Sequence, residues 1–267
     1  MHLLIDADSA FYKAGCANET REYLCILDGQ VIETHKFKVD ANYTQEETGC
    51  EIELYKTAGE LKYSIANLRK VLISMLAVDH DSYTIYIGGK GNFRFDYFPE
   101  YKSSRKSTDK PIHLQEMKDY LVKKEQAVIV NKEEVDDRVS WEQYNGKDTC
   151  IVSIDKDLNN SAGWHYNYDK EILYNVTEKE AQLYFARQLL SGDATDSIPG
   201  IKGVGTKTAV GLLPEFRSDW LGFVKQLYLD RGYTEEYLTQ MGIALHMRRQ
   251  PNEIWSLDYD YTCYELD

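Results

Sequence analysis

The sequence has few of the features that place a protein in a membrane or in an oxidising compartment. No apolar stretch approaches the roughly 18 residues that a membrane-spanning helix needs. The N-terminal segment MHLLIDADSAFYKAG carries acids within its apolar part, which argues against a signal peptide. The five cysteines are odd in number, and no two form a C-x-x-C pair. We therefore expect free thiols, a cytoplasmic location and no membrane partner.

The sequence also lacks a nucleotide-binding glycine loop and a net positive charge. No G-x-x-x-x-G-K-[ST] segment is present. The net charge of −13, from 44 acidic and 31 basic residues, argues against a protein that binds nucleic acid by general basic character. Residues 101–111, YKSSRKSTDKP, depart from this average, because they hold four basic residues against one acid. A local binding face can therefore be basic although the whole chain is acidic.

The order of apolar segments predicts an α/β fold with a mostly parallel central sheet flanked by helices. HLLID, SYTIYIGG, AVIV and DTCIVSID are typical of core strands, and the third and fourth are separated by an amphipathic helix, EEVDDRVSWEQY. Helical spacing of leucines predicts a helix over residues 60–76, and YLCILDGQVIETHKFKV is typical of a hairpin that turns at Asp28-Gly29. The chain becomes helical after about Thr177. We therefore divide it into residues 1–176 and 177–267.

Acidic residues lie where these strands end. The carboxyl ends of parallel strands meet at one edge of a sheet, so acids from distant segments should converge there. No histidine or cysteine accompanies them, and an all-oxygen site favours Mg²⁺ or Mn²⁺ over zinc. The acids are Asp6 after the first strand, Glu134, Asp136 and Asp137 after the third, and Asp155 and Asp157 after the fourth.

Each group of acids also has an ordinary structural explanation that the sequence leaves open. Acids at positions 134–137 suit the positive end of a helix, and those at 155 and 157 suit a turn. The indication of a site therefore lies in the conjunction of all these segments.

Residues 192–213, GDATDSIPGIKGVGTKTAVGLL, place two aspartates, Asp193 and Asp196, before a glycine-rich loop that opens a helix. Glycine lets backbone N–H groups approach a phosphate closely, and a helix beginning near Thr206 offers its positive end. Lys202 and Lys207 add charge without reading base sequence. As an alternative, Asp193 caps a turn and the loop is only turn-rich.

At this point the chain resembles the 5′→3′ exonuclease and flap endonuclease family, the 5′-nuclease superfamily with a PIN-like core. The bacteriophage branch is the most similar. The segments that carry the resemblance are LIDAD, FPEYKSSRK, EEVDDRVS, SIDKDL and GDATDSIPGIKGVGTKTA. It implies a nuclease core with a helical arch near residues 93–125. Residues 177–267 would then form a helix–three-turn–helix DNA-binding region with further C-terminal helices.

The resemblance also implies roles for individual residues. Two Mg²⁺ or Mn²⁺ ions would activate water for attack on a phosphodiester and stabilise the leaving oxygen. Asp6, Glu134, Asp136 and Asp155 would form the tighter site, and Asp157, Asp193 and Asp196 would surround the second ion, while Asp137 supports them. Lys102 would contact the scissile phosphate. The implied DNA contacts are Tyr101, Arg105, Lys106, Lys110, Gly200, Lys202, Gly203, Gly205 and Lys207, with a K⁺ ion in the glycine loop.

Two of these roles have competing explanations. Tyr101 would stack on a terminal base, but it is equally explained as a core or surface aromatic. Arg105, Lys106 and Lys110 would belong to the arch, and the alternative is a solvated loop.

The predicted function is a metal-dependent 5′→3′ exonuclease with structure-selective endonuclease activity on flaps or nicks. Its partners would be DNA with 5′ ends, or the RNA strand of an RNA–DNA hybrid, and it would act as a monomer in phage replication or recombination, in the host cytoplasm. Two alternatives stay open. One is a cleavage-deficient protein that binds branched DNA, and the other is a PIN-like RNA endonuclease.

One position departs from the family pattern. After the second strand, where the family usually carries an aspartate, we place Gly89 of YIGGKGNFRF. A missing carboxylate would weaken Mg²⁺ binding without preventing it. Asp8 could compensate, because it lies two residues after Asp6; its alternative role is a helix cap.

Overall fold

The computed structural model describes residues 1–104, 109–214 and 219–259, which form two compact units. The described residues of the first unit are 1–8, 74–104, 125–214 and 219–259, and this unit is built on a six-stranded sheet. All neighbouring strands of this sheet run parallel except the last pair, β8 and β9. In spatial order the strands are β6 (Val128–Val130), β5 (Ser82–Gly88), β1 (His2–Asp6), β7 (Thr149–Val152), β8 (Gly163–Asn167) and β9 (Ile172–Val176).

The central strands are buried on both faces, as expected for parallel strands. Leu3, Leu4 and Ile5 of β1 are all inaccessible or nearly so. Helix α6 (Val135–Asn145) packs Val135 and Val139 against the sheet residues Leu4, Tyr86, Val130 and Ile151. This packing fixes the start of α6 beside the ends of the neighbouring strands.

Five α-helices and one 3₁₀ helix (Lys156–Asn160) complete the described part of the first unit. The short α4 (Arg94–Tyr97) contacts α10, and α7 to α10 share one apolar core with the segment around Trp255. Phe185, Tyr228 and Met241 are among its buried residues. The four longer helices are α7 (Glu178–Ser191), α8 (Thr206–Leu212), α9 (Trp220–Asp230) and α10 (Glu235–Leu245).

The second unit contains residues 9–73 and 109–124. Its three-stranded antiparallel sheet has the order β3-β2-β4, from β2 (Glu19–Leu27), β3 (Gln30–His35) and β4 (Glu51–Ala58). Asp28 and Gly29 turn the β2–β3 hairpin with φ angles of 52° and 75°, the left-handed geometry that the Asp-Gly pair favours. Its helices are α2 (Lys38–Thr48) and most of α1 (Asp8–Cys16), α3 (Leu61–Met75) and α5 (Leu114–Glu125).

The structure confirms the four predicted core strands (β1, β5, β6 and β7), the β2–β3 hairpin, the helix over residues 60–76 and α6. Strands β4, β8 and β9 and helix α2 were not predicted, whereas α5 lies within residues 93–125, where the helical arch was predicted. The division at residue 176 and the helical arch stay predictions. The four described cysteines are free, and Cys263 lies outside the described residues. Within the described ranges, no helix combines the length and apolar character needed to cross a membrane.

Candidate active site

The acids at the strand ends meet on one edge of the six-stranded sheet. Asp6 closes β1 and is only 5% exposed. Its carboxylate accepts hydrogen bonds from the backbone N–H of Asp8 (3.1 Å) and from Oγ of Ser153 (3.0 Å). The same Ser153 hydroxyl accepts from the backbone N–H of Asp155 (3.1 Å). Ser153, which sequence reasoning missed, therefore links the acid after β1 to the acid after β7.

Mutual repulsion in this group is visible in the pKa of two carboxyls. Burial, followed by the charges of Asp8 and Asp155, raises the pKa of Asp6 to about 7. Burial and the charges of Asp6, Asp155 and Glu134 raise the pKa of Asp136 well above its usual value. Among the described residues, no group donates a hydrogen bond to the Asp136 carboxylate. The structure thus brings together the predicted tighter-site acids, and among the described residues neither Asp6 nor Asp136 forms an ion pair with a basic side chain.

Lys102 supplies the cation nearest to these acids. Its ammonium forms an ion pair with Glu134 and lies 3.7 Å from Oδ2 of Asp196. Burial opposes ionisation of Glu134, but Lys102 and Arg94 outweigh it and hold the pKa of that carboxyl below its usual value. The backbone N–H of Lys102 donates to the carbonyl of Asp196 (2.8 Å), with the Lys102 φ angle at 54°. Both the side chain and the backbone of Lys102 are therefore bound to residues of the acidic group.

The structure corrects the role predicted for Tyr101. The side chain is 3% exposed and packs within the apolar core of the helices, so its ring has no face open to a nucleobase. Its hydroxyl donates to Oε2 of Glu134 (2.7 Å) and contacts Oδ2 of Asp196 (3.2 Å). The alternative explanation, a core aromatic, is the one that fits, with the hydroxyl positioning two carboxylates.

The acids predicted to surround a second ion divide into two places. Asp157 accepts from the Tyr184 hydroxyl and from Nε2 of Gln188, both at 2.9 Å. Burial, followed by the charges of Asp155 and Asp193, raises its pKa to about 6. Asp196 instead lies with Lys102, Tyr101 and Glu134. Asp157 and Asp193 therefore lie towards Asp155, whereas Asp196 lies on the Glu134 side.

These acids are near neighbours without forming a ready coordination shell. Across residues 1–104, 109–214 and 219–259, no three histidine, cysteine, aspartate or glutamate side chains are arranged to hold one metal ion. Several of the carboxylates are held by protein donors, such as Ser153 on Asp6 and Lys102 on Glu134. A bound cation would therefore have to replace some of these contacts.

Arg94, another residue that sequence reasoning missed, fixes the start of α6 from behind. Its guanidinium donates to both carboxylate oxygens of Asp137, at 2.5 and 2.9 Å, and to the backbone carbonyls of Ala244 (2.9 Å) and His246 (2.8 Å). Asp137 also accepts from the backbone N–H of Glu134 (3.2 Å), as part of a capping box. Asp137 therefore supports Glu134. The sequence signal that could have identified Arg94 is its position between two phenylalanines in NFRFDY.

Gly89 is not the position where a missing carboxylate would reach the site. A Cβ at Gly89 would lie 2.4 Å from Oδ1 of Asn131 and 2.7 Å from the carbonyl oxygen of Val130. The Gly89 N–H also donates to that carbonyl (2.7 Å). This side of the strand is filled by β6 and the residues after it. Gly88, its neighbour, points the other way and faces Asp8. A side chain at position 89 would therefore point away from the acids, and Gly88 is the glycine whose side-chain direction faces Asp8.

The glycine-rich loop after α7 has a buried part and an exposed part. Gly200 is buried against Gly192, which corrects its predicted contact with DNA. The remaining predicted contacts of the loop, Lys202, Gly203, Gly205 and Lys207, are exposed. Helix α8 begins at Thr206, as predicted. The K⁺ ion stays a prediction.

The predicted arch cations are only partly described. Arg105 and Lys106 lie outside the described residues. Lys110 is exposed and belongs to the second unit, where its carbonyl accepts from Nζ of Lys56 (2.6 Å).

We predict that Gly200→Ala destabilises the protein by about 2–4 kcal/mol. Gly200 has a φ of 59°, and its Cβ would lie 2.3 Å from the backbone nitrogen of Gly192. Gly203→Ala should cost only about 1–2 kcal/mol, since its φ is 82° but nothing lies within 4 Å of a Cβ there. Gly211→Ala should stabilise by up to about 1 kcal/mol, because it removes a glycine from the open face of α8. Urea unfolding measures all three, and equal effects at 200 and 203 would contradict the packing.

Comparison with known proteins gives several partial matches. No protein-family model matches the chain. It is 29% identical over 221 residues to DNA polymerase I of Chloroflexus aurantiacus, covering 73% of this chain and 22% of the polymerase. It is 27% identical over 161 residues to flap endonuclease Xni of Shewanella sp. strain ANA-3, covering 54% of this chain and 62% of Xni. The 5′-3′ exonuclease of Buchnera aphidicola is 26% identical over 227 residues, covering 77% and 72% of the two chains.

The chain thus spans only 22% and 62% of the length of the first two relatives. Among solved structures, T5 5′-exonuclease with bound zinc ions has a TM-score of 0.50 and 15% identity, covering 76% of this chain and 84% of that one. This likeness confirms the predicted α/β fold with a mostly parallel sheet. The curated proteins that the chain is similar to thus include a flap endonuclease and a 5′-3′ exonuclease, and the solved structure shares its fold.

Proposed function

We propose that the chain is a divalent-metal-dependent 5′ nuclease that hydrolyses phosphodiesters in DNA with 5′ ends, flaps or nicks. The observation that carries the proposal is the acidic edge of the sheet. Asp6, Asp136 and Asp155 come from three separate segments, and the charge of Asp155 contributes to the raised pKa of both Asp6 and Asp136. Lys102 forms an ion pair with the neighbouring Glu134. The names of the relatives, flap endonuclease and 5′-3′ exonuclease, support the same reaction.

The donor set fits a hard divalent cation. The ligands would be carboxylate oxygens, which Mg²⁺ and Mn²⁺ prefer. A negative charge on the buried Asp6 or the half-buried Asp136 is costly without a compensating cation. On Glu134, the Lys102 ammonium already supplies one positive charge. Bound metal would supply activated water and stabilise the leaving oxygen. Asp6, Glu134, Asp136 and Asp155 would hold the tighter ion, and Asp157, Asp193 and Asp196 the second.

The chain's own residues position these ligands and the substrate. Tyr101 and Arg94 orient Glu134 from the protein side. Lys102 would reach the scissile phosphate when its ammonium is not paired with Glu134, and it would there stabilise developing charge. The hydrogen bond from the Lys102 N–H to the Asp196 carbonyl holds its backbone in place whichever partner the ammonium takes.

The exposed part of the glycine-rich loop is proposed to contact the duplex backbone. Lys202 and Lys207 are exposed on it, and phosphate contacts of this kind position DNA without reading its sequence. We keep as proposals the bacteriophage branch, a role in phage replication or recombination, action on RNA in a hybrid, and the monomeric state.

A single cleavage experiment tests the function. A 5′-labelled flap duplex, a nicked duplex and a labelled single-stranded RNA are incubated with the protein in Mg²⁺, in Mn²⁺ and in EDTA. The proposal expects metal-dependent cutting of the DNA substrates, abolished in Asp155→Ala. Flap binding with no cutting in either metal would support the cleavage-deficient alternative. Preferential cutting of the RNA would support the PIN-like RNA endonuclease.

We predict that Lys102→Ala lowers the single-turnover cleavage rate by about 10²–10³-fold, because one charge is lost at the chemical step. Its affinity for Mn²⁺ without DNA should stay equal or rise, since the ammonium no longer competes on Glu134. Rapid-quench kinetics and calorimetry measure the two effects. Lys147→Ala is the matched control, an exposed lysine before β7 at the opposite edge of the sheet. A variant that loses only DNA affinity would contradict the catalytic role.

A further inference from the structure

The side chain of Asp8 fills the place that a side chain on Gly88 would take. A Cβ built on Gly88 would lie 2.6 Å from Oδ2 of Asp8, and the three nearest heavy atoms all belong to the Asp8 carboxyl group. The backbone N–H of Gly88 donates to Oδ1 of Asp8 (2.9 Å). Strands β1 and β5 run parallel, with Asp6 opposite Tyr86. Residues 8 and 88 therefore continue the same register just beyond the ends of the strands.

This contact distinguishes between the two roles open to Asp8. Helix α1 begins at Asp8 itself, so the residue is inside the first turn rather than before it. Its carboxylate accepts a hydrogen bond across the sheet, from the end of β5. The turn into the helix is bound instead by Asp6, whose Oδ1 accepts from the Asp8 N–H (3.1 Å). The Asp8 carboxylate is thus aimed at the sheet edge and not at the backbone of its own helix.

The location is part of the acidic edge. Asp8 is half-buried and adjoins Asp6, and its charge is the largest contribution from another residue that raises the pKa of Asp6. Bringing a second carboxylate against the buried carboxyl of Asp6 is unfavourable unless a cation is shared between them. Gly88 has an ordinary negative or extended φ, since it is absent from the positive-φ glycines. Its lack of a side chain is therefore required by the space that Asp8 takes, not by the backbone.

We infer that Asp8 is a further ligand for the divalent ion held by Asp6, and that residue 88 is glycine because Asp8 delivers its carboxylate into that position. The inference rests on the proposed function. It predicts that the carboxylate can be moved from position 8 to position 88. In Asp8→Ala with Gly88→Asp, the three heavy atoms that lie nearest to the new Cβ, all from the Asp8 carboxyl group, are removed.

Metal binding without DNA tests the inference independently of cleavage. Calorimetric titration of the metal-free protein with Mn²⁺ should show affinity about 10-fold or more lower in Asp8→Asn and in Asp8→Ala. The double variant Asp8→Ala with Gly88→Asp should recover most of that loss. Asp8→Asn keeps a side-chain oxygen that can accept from the Gly88 N–H, so it should keep the melting temperature of the metal-free protein. Asp136→Asn is the positive control for loss of metal.

Each outcome of the titration has a distinct meaning. If Asp8→Asn binds Mn²⁺ as tightly as the unchanged protein while Asp136→Asn does not, the inference fails and the proposed function stands. If the unchanged protein takes up no Mn²⁺, the inference and the metal-dependent function both fail. If Asp8→Ala loses Mn²⁺ affinity and the double variant does not recover it, the claim that the carboxylate can be moved from position 8 to position 88 is wrong. A fall in the melting temperature of Asp8→Asn would show that Asp8 has a structural role instead.

Discussion

Asp136→Asn should lower cleavage of a 5′ flap at saturating Mg²⁺ by about 10³-fold or more. The Asp136 carboxylate lies among Asp6, Asp155 and Glu134, and no described residue donates a hydrogen bond to it. It is therefore the acid of the group that depends most on an added cation. Single-turnover cleavage and Mn²⁺ calorimetry measure the effect, with Asp230→Asn, an exposed residue at the end of α9, as the matched control.

The same variant should be no less stable than the unchanged protein when metal is absent. The amide keeps the shape of the side chain and removes one negative charge from a group of buried carboxylates that repel one another. Thermal unfolding in EDTA should thus give an equal or higher melting temperature, which shows that lost cleavage is not lost folding. Cleavage within 10-fold of the unchanged protein, about 1.4 kcal/mol in activation free energy, would remove Asp136 from the proposed metal site.

The acidic edge could be predicted because its residues are close to strand ends in the sequence. Asp6 and Asp155 directly follow apolar runs, and parallel strands bring such positions together whatever the rest of the chain does. The helix of residues 135–145 has a clear apolar period and acids at its start, so its type and position also follow from local pattern. Local periodicity and chain order were sufficient for these features.

The features that were missed depend on contacts between residues far apart in sequence. Arg94 contacts Asp137 and the backbone of residues 244 and 246, and no local pattern links these segments. The roles of Asp8 and Gly88 depend on which way each points at the end of parallel strands, and a shift of one residue reverses that direction. This is why the departure from the family was placed on Gly89.

The unpredicted strands have weak or short apolar patterns. Strand β4 alternates exposed and half-buried residues and has no fully buried position. Its sheet in the second unit is small, and its described buried core is Cys25, Ala41 and Cys50. Strand β9 runs antiparallel to β8 at the edge of the larger sheet, so its pattern does not follow the continuous apolar run of the central strands.

Arg94→Ala should lower the free energy of unfolding by about 3–5 kcal/mol, because it leaves the Asp137 carboxylate buried without its cation. Asp137 is 0% exposed and Arg94 is 1% exposed, so water cannot replace the lost contacts without local opening. Urea unfolding followed by circular dichroism measures the change. Lys225→Ala is the matched control, because it removes one half of an exposed ion pair with Glu235 (2.9 Å) and should cost less than about 1 kcal/mol.

Replacement by lysine separates charge from geometry at this position. Arg94→Lys keeps a cation for Asp137, but an ammonium cannot donate in parallel to both carboxylate oxygens while also reaching the carbonyls of Ala244 and His246. We therefore expect a stability between those of the unchanged protein and Arg94→Ala. Because Asp137 holds the Glu134 N–H at the start of α6, Arg94→Lys should also weaken Mn²⁺ binding, by about 10-fold, as loss of an outer-shell contact does. An Arg94→Lys variant with unchanged stability and unchanged Mn²⁺ affinity would mean that the buried charge alone matters, and that the forked geometry does not position Glu134.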